Sequence, residues 1–386
     1  MEYARIHPAV HPTLVSDKTV LHPTLRATKW PFLDFVRGGA ALLVMLGHAR
    51  GQLLPEFGAV PNPGLLTKVL YLATGLQHEA VVLFFIVSGF LVGGGVWDAF
   101  ATGRFNPVRY LGNRFARIYL VLVPGLALTA LVMLIGKTWF AATPSFAALP
   151  EQTWSWSMAL CHLACLQAIS CSVIVGNAPL WSLAYEWLLY LAAPLVLGIA
   201  LAPAPYLWRA ISLGILAATA LSLLPAHIEW QWAAWWAMGA IASRYATGQP
   251  VSWPVGAAGL VAVVCGLLAS RLRILPPLTT DAAVALGLAL ALACPAVLSR
   301  TPCARISDIL ARCSYSLYVI HLPLVLLIVA IMNSVWGPLT PALDARQIVI
   351  YLILCTVVVI CASVFAHFTE RHTQRLQRLL SERASN

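Results

Sequence analysis

Charge is what this sequence has least of. Asp, Glu, Lys and Arg make up 10% of its 386 residues, where a soluble domain carries about 25%. With 60% hydrophobic residues there is too little polar surface to cover a globule in water, which excludes a soluble enzyme. The same excess of apolar sequence excludes intrinsic disorder. The nine cysteines show no zinc-like pair of spacings, so no metal is expected; as a separate expectation, no cofactor is permanently bound. No basic run is interleaved with aromatics, so the net charge of +10 is not that of a nucleic-acid binder. No cleaved signal peptide is expected either. The chain opens on a polar, proline-broken stretch, 1–34, in which His-Pro-Thr-Leu occurs at both His11 and His22. The apolar sequence after it therefore reads as a signal anchor behind a disordered cytoplasmic tail.

What is abundant is long apolar runs, reflected in a mean hydropathy of +0.82. A helix needs about 20 such residues to cross a bilayer. Runs of that kind fall near 36–55, 79–97, 117–136, 179–201, 208–225, 231–247, 254–270, 281–298, 313–333 and 347–367. The expectation is an all-α polytopic membrane protein with a bundle of about ten transmembrane helices. Its transmembrane domain covers 35–371 and a basic cytoplasmic tail covers 372–386. A further stretch, 154–170, is shorter and more polar. If it stays on the outer face as a re-entrant or interfacial helix, 18 of the 24 basic residues lie inside, leaving Arg50, Lys68, Lys137, Arg271, Arg273 and Arg346 outside. If it spans, the split is 12 to 12. Cytoplasmic loops collect Lys and Arg, which favours ten spans with both termini cytoplasmic. Trp139, Trp154, Trp156, Trp181, Trp230 and Trp232 then suit the outer interface. Cys161, Cys165 and Cys171 face the outside, and the spacing leaves open whether two of them join as a disulfide. Cys265, Cys294, Cys355 and Cys361 read as small core residues.

The few ionisable residues inside the runs are costly there and mark function. Arg37 and His48 are eleven residues apart in the first run. At ~100° per residue they lie within ~20° of each other on one helix face, roughly 16 Å apart along the axis. Gly38, Gly39 and Gly47 beside them permit close helix packing. Ser88-Gly89 permits a kink in the second run. Arg114 and Arg117 share a helical face at the inner mouth; they either grip phosphates or only obey the positive-inside rule. Glu186 has no partner in its own run, and His48, taken to lie at similar depth, is the natural one. Ser314, Tyr318 and His321 repeat at helical spacing and make one polar face.

These segments, in this order, resemble the acyltransferase-3 family of integral-membrane acyltransferases. Leu33-Asp34-Phe-Val-Arg37 to His48 is similar to its Arg-x10-His signature, and Phe84 to Leu91 to its Phe-Phe-x-x-Ser-Gly-Phe-Leu stretch. Arg114-x-x-Arg117-Ile resembles its inner arginine motif. Trp181-Ser-Leu-x-x-Glu186 and Ser314-Tyr315-x-x-Tyr318-x-x-His321 match as well. The resemblance implies transfer of an acetyl or other short acyl group from cytoplasmic acyl-CoA, as co-substrate, to a hydroxyl of an extracytoplasmic glycan. The acceptor would be a surface polysaccharide or a glycolipid, and the protein would sit in the inner membrane. On this reading Arg37, Arg114 and Arg117 hold the phosphates of acyl-CoA. His48 is the general base, and Glu186 orients it. Ser88, Tyr315 and His321 are the candidate oxyanion donors or acceptor contacts. Direct attack and an acyl-His48 intermediate both remain open. The rival class is a multi-pass transporter of a lipid-linked sugar or small anion, against which stands the want of an inverted repeat.

Overall fold

Without water in the bilayer core, each backbone amide must be satisfied within the protein, and an apolar run does so as a helix. The computed structural model describes residues 30–201, 206–223, 228–300, 302, 304–337 and 343–383. The proposed tail 1–34 therefore lies almost wholly outside the described residues. Among these the long elements are all helices: α1 (Pro31–Leu53), α2 (Gln77–Ser88), α3 (Gly94–Ala101), α4 (Pro107–Trp139), α5 (Trp156–Leu163), α6 (Trp181–Leu201) and α7 (Tyr206–Leu223). After them come α8 (Gln231–Thr247), α9 (Trp253–Arg271), α10 (Pro277–Leu292), α11 (Ala304–Trp336), α12 (Ala345–Phe368) and α13 (Thr373–Arg383). The starts follow from the sequence. Proline occupies the first turn of α1, α4, α9 and α10, where no partner for its nitrogen is needed. Asn106 and Asp344 cap α4 and α12 by accepting from Arg109 N and Gln347 N, at 2.9 and 2.8 Å.

Seven helical segments among the described residues are long and apolar enough to cross a membrane: Pro31–Ala59, Leu65–Ala101, Pro107–Trp139, Val175–Leu201, Trp253–Arg271, Arg305–Trp336 and Ala345–Leu380. The helices in the other three expected spans, α7, α8 and α10, do not meet that measure. The stretch 154–170 resolves into α5, eight residues long, or about 12 Å, which is too short to span. Trp156 at its start is 88% exposed. Trp232, expected at the interface, is instead 1% exposed, because it packs against the tilted rings of Trp181 and Phe85, each 4.9 Å away between ring centroids. Cys265 is exposed rather than in the core.

Contacts fix the relative directions of the helices. Arg37 reaches Ser314, and His48 reaches His321, so α1 and α11 are parallel. Gly47 lies against Gln77 while Trp30 meets Phe90, so α2 runs opposite to α1. Phe85 touches Trp232, and Asp98 accepts from Arg244; α2 and α3 thus run alongside α8. Between α2 and α3 the chain makes one π-turn, Gly89–Gly93, at the place where Ser88-Gly89 predicts a kink. A Cβ on Gly89 would collide with the Trp236 carbonyl. Gly89→Ala should therefore lower stability by about 1–3 kcal/mol. Thermal unfolding in detergent checks this, with Gly95→Ala, which meets nothing within 4 Å, as the control that should stay unchanged.

Two prolines inside helices expose carbonyls that neighbouring side chains then take. Pro323 has no N–H for the Val319 carbonyl four residues back, and Asn177 Nδ2, fully buried, donates to it at 2.8 Å. Pro194 likewise frees the Tyr190 carbonyl, which accepts from the Tyr110 hydroxyl at 2.8 Å. Each capture ties a proline-containing helix to a second element, α11 to the turn at Val175–Leu180 and α6 to α4.

Candidate functional site

The polar face of α1 meets the polar face of α11. Arg37 Nη2 donates to Ser314 Oγ at 3.2 Å and to the Ala311 carbonyl at 3.3 Å. Three turns further along, His48 Nδ1 lies 3.0 Å from His321 Nε2. Gly38 allows this approach, since a Cβ there would press on Leu310 and Ala311; Gly39 faces open space. The predicted alignment of Arg37 and His48 on one face is thus realised, with α11 as the surface they share.

Around Arg37 the helices leave an open cavity of about 160 Å³. Arg37, Arg114 and Arg117 line it together with Ser88, Glu186 and Tyr190, and it reaches up to Phe84 and Tyr318. The three guanidiniums are held differently. Arg117 pairs with Glu370 at 3.3 Å and sits 5.5 Å over the Tyr315 ring. Arg114 lies over the rings of Tyr110 and Tyr190, and its Nε is buried without a partner. Asp34 lies 3.8 Å from Arg37.

Glu186 does not meet His48. Its Oε1 accepts from the Ser88 hydroxyl at 3.0 Å and from the Tyr190 hydroxyl, and Trp236 Nε1 donates to Ser88 in turn at 3.2 Å. The reason is depth. Ser88 is eleven residues, about 16 Å, beyond Gln77, and Gln77 packs on Gly47. That puts Ser88 and its partner Glu186 level with Arg37, not with His48. The three proposed oxyanion or acceptor contacts already have their donors engaged. Ser88 bonds Glu186, Tyr315 donates to the Ile118 carbonyl at 3.2 Å, and both nitrogens of His321 are occupied.

Two buried groups were missed in the sequence. Glu370, 8% exposed, joins Arg117 to α11 by accepting from Ser316 N and Oγ, each at 3.1 Å. Its only signal was a carboxylate at the end of a long apolar run. Tyr190 sits one turn below Glu186, a spacing that could have identified it. Away from the cavity, Cys161 and Cys171 form a disulfide. Burial pushes the thiol of the third cysteine, Cys165, up to about 11, so it stays a protonated bystander. Among the described residues no three His, Cys, Asp or Glu side chains gather where a metal ion could be held.

Residues 30–367 match the sequence model of a family described as an acyltransferase domain. No curated protein and no solved structure matches the chain.

Proposed function

This chain belongs to the acyltransferase-3 family, a family of membrane acyltransferases, and from that premise we propose that it moves a short acyl group, acetyl above all, from acyl-CoA to a glycan hydroxyl. The observation that carries the proposal is the cavity with three arginines on its wall, lying on the same face of α1 as His48. Coenzyme A is a polyanion, and guanidinium groups grip phosphate in forks. Arg114 is the principal anchor because, among the described residues, its guanidinium lies over the rings of Tyr110 and Tyr190 and pairs with no carboxylate. Arg37 is the second. Arg117, already paired with Glu370, adds field more than hydrogen bonds.

The positive-inside count supports ten crossings with both termini cytoplasmic. The parallel and antiparallel contacts of α1, α2, α8 and α11 have the alternation ten crossings require. The cavity then opens toward cytoplasmic acyl-CoA in the inner membrane, and His48 lies nearer the outer face, where a saccharide acceptor arrives. His48 takes the proton of the acceptor hydroxyl as its oxygen attacks the thioester carbonyl. The C–S bond breaks, and the proton passes to the departing CoA sulfur. The cavity ends at Phe84 and Tyr318, whose rings lie 5.5 Å apart, and Tyr318 is one helical turn from His321. This aromatic pair separates the donor from the outer side until the acyl arm passes it. Glu186 serves in the cavity wall, fixing Ser88 and Tyr190.

The test uses the protein reconstituted in vesicles, with acyl-CoA on one side and a glycan acceptor on the other, following acylated glycan and free CoA together. Arg114→Ala should raise KM for acyl-CoA about tenfold to a hundredfold, as expected for loss of a charge-assisted contact, with kcat little changed. Substrate flux without CoA release would instead make the protein a transporter.

A further inference from the structure

We propose that His321 is a positioning residue: it holds His48 in the tautomer protonated on Nδ1, so that Nε2 is the basic nitrogen. The proposal rests on the acyltransferase reading for its consequence, but the tautomer itself follows from hydrogen-bond geometry. His321 is fully buried, at 0% exposure, so every polar contact of its ring is with protein. Its Nδ1 lies 2.8 Å from the Tyr318 carbonyl and 3.1 Å from the Leu317 carbonyl. Carbonyl oxygens only accept, so Nδ1 carries the hydrogen. In the neutral ring Nε2 is then a lone pair. That lone pair faces His48 Nδ1 at 3.0 Å, which must donate to it. The proton on His48 is thereby placed on Nδ1, and its Nε2 is left to accept.

The alternatives fail on the same contacts. With its hydrogen on Nε2, His321 would turn a lone pair toward two buried carbonyls and leave three acceptors facing one another without a donor. A doubly protonated His321 would satisfy the carbonyls but would be a fully buried cation inside the bilayer with only neutral groups bonded to its ring, where an ionised side chain is expensive.

The arrangement does the work of the carboxylate in a serine-hydrolase triad, which also fixes the tautomer of its histidine and supports the imidazolium that forms. The difference is charge. A carboxylate at this depth would add a buried anion within the bilayer, where each ionised group is expensive. A neutral imidazole adds none, and its bond from His48 Nδ1–H strengthens once His48 takes a proton, because a charge-assisted hydrogen bond is stronger than a neutral one.

The test is nitrogen NMR of the full-length protein in lipid with ¹⁵N-labelled histidine, in which a nitrogen bearing hydrogen and a bare one resonate far apart. His48→Gln identifies the His48 signals among the ten histidines. The expected result is a protonated Nδ1 and a bare Nε2 on His48, with His321 in the same tautomer. His321→Leu should shift His48 toward the opposite tautomer and lower kcat about a hundredfold with KM for acyl-CoA unchanged. His321→Gln, whose amide oxygen can accept from His48 Nδ1, should restore both the tautomer and much of the rate; it also guards against a Leu variant that fails to fold. A wild-type His48 protonated on Nε2, or a tautomer that His321→Leu leaves in place, overturns the proposal. If the spectra are as expected but the protein transfers no acyl group, the function is wrong and the positioning role stands.

Discussion

His48→Ala is expected to reduce acyl transfer about 10³-fold or more in a protein that still inserts and folds. General-base catalysis by a positioned imidazole contributes about 10²–10⁴, and among the described residues His321, both of whose nitrogens are engaged, is the one titratable side chain that shares a hydrogen bond with His48. The stability cost is smaller. Removing the imidazole leaves His321 Nε2 without its donor, a buried unsatisfied acceptor worth about 1–3 kcal/mol. His48→Gln separates the two effects: its amide can still donate to His321, so most of the stability returns, whereas an amide is no base and the rate stays low. The measurement is the initial rate of CoA release in vesicles at saturating acyl-CoA, with melting temperature recorded on the same preparation. A rate within tenfold of wild type in a folded His48→Ala protein would remove the imidazole from the chemistry.

The parts of this site legible in the sequence are those set by one helix. The angle between Arg37 and His48 follows from eleven residues at ~100° each, and Arg114 and Arg117 reach one cavity because three residues bring side chains to one face. The shortness of α5 was legible too, because Ser155, Trp156 and His162 break the apolar run. Registers between helices were not. The position of Glu186 along its own run is plain, but its depth relative to His48 depends on how α2 and α6 slide past α1, and the 3.6-residue period carries no information on that. The prolines show the same division. Pro323 and Pro194 announce free carbonyls at Val319 and Tyr190, yet only the packed structure says that Asn177 and Tyr110 take them. The pairing of Cys161 with Cys171 rather than with Cys165 depends on the turn between them, where Ala168 adopts a positive φ of 64° and its N–H bonds the Cys171 carbonyl at 2.7 Å.

Glu370 carries the second large effect, and it falls on the fold before it reaches the chemistry. Its two oxygens serve different helices, Oε1 pairing with Arg117 of α4 and Oε2 accepting from Ser316 of α11. Glu370→Ala would therefore strand a guanidinium and leave the buried Ser316 hydroxyl without its acceptor at once. Breaking a buried pair by removing one partner costs about 3–5 kcal/mol. Arg117 keeps 30% of its side chain exposed, which places the expected loss near the low end, about 3 kcal/mol. Glu370→Gln should recover part of it, since an amide oxygen can still accept from Ser316 while the charge for Arg117 is gone. Freed of its partner, Arg117 joins Arg114 as a second cation without a carboxylate on the cavity wall, so the surviving Glu370→Gln protein should bind acyl-CoA more tightly. Calorimetric unfolding in detergent and KM for acyl-CoA test the two halves. If Glu370→Ala melts with the wild type, the α4–α11 tie is not what holds this end of the bundle. If KM rises in Glu370→Gln, Glu370 orients Arg117 for the phosphates instead of competing with them.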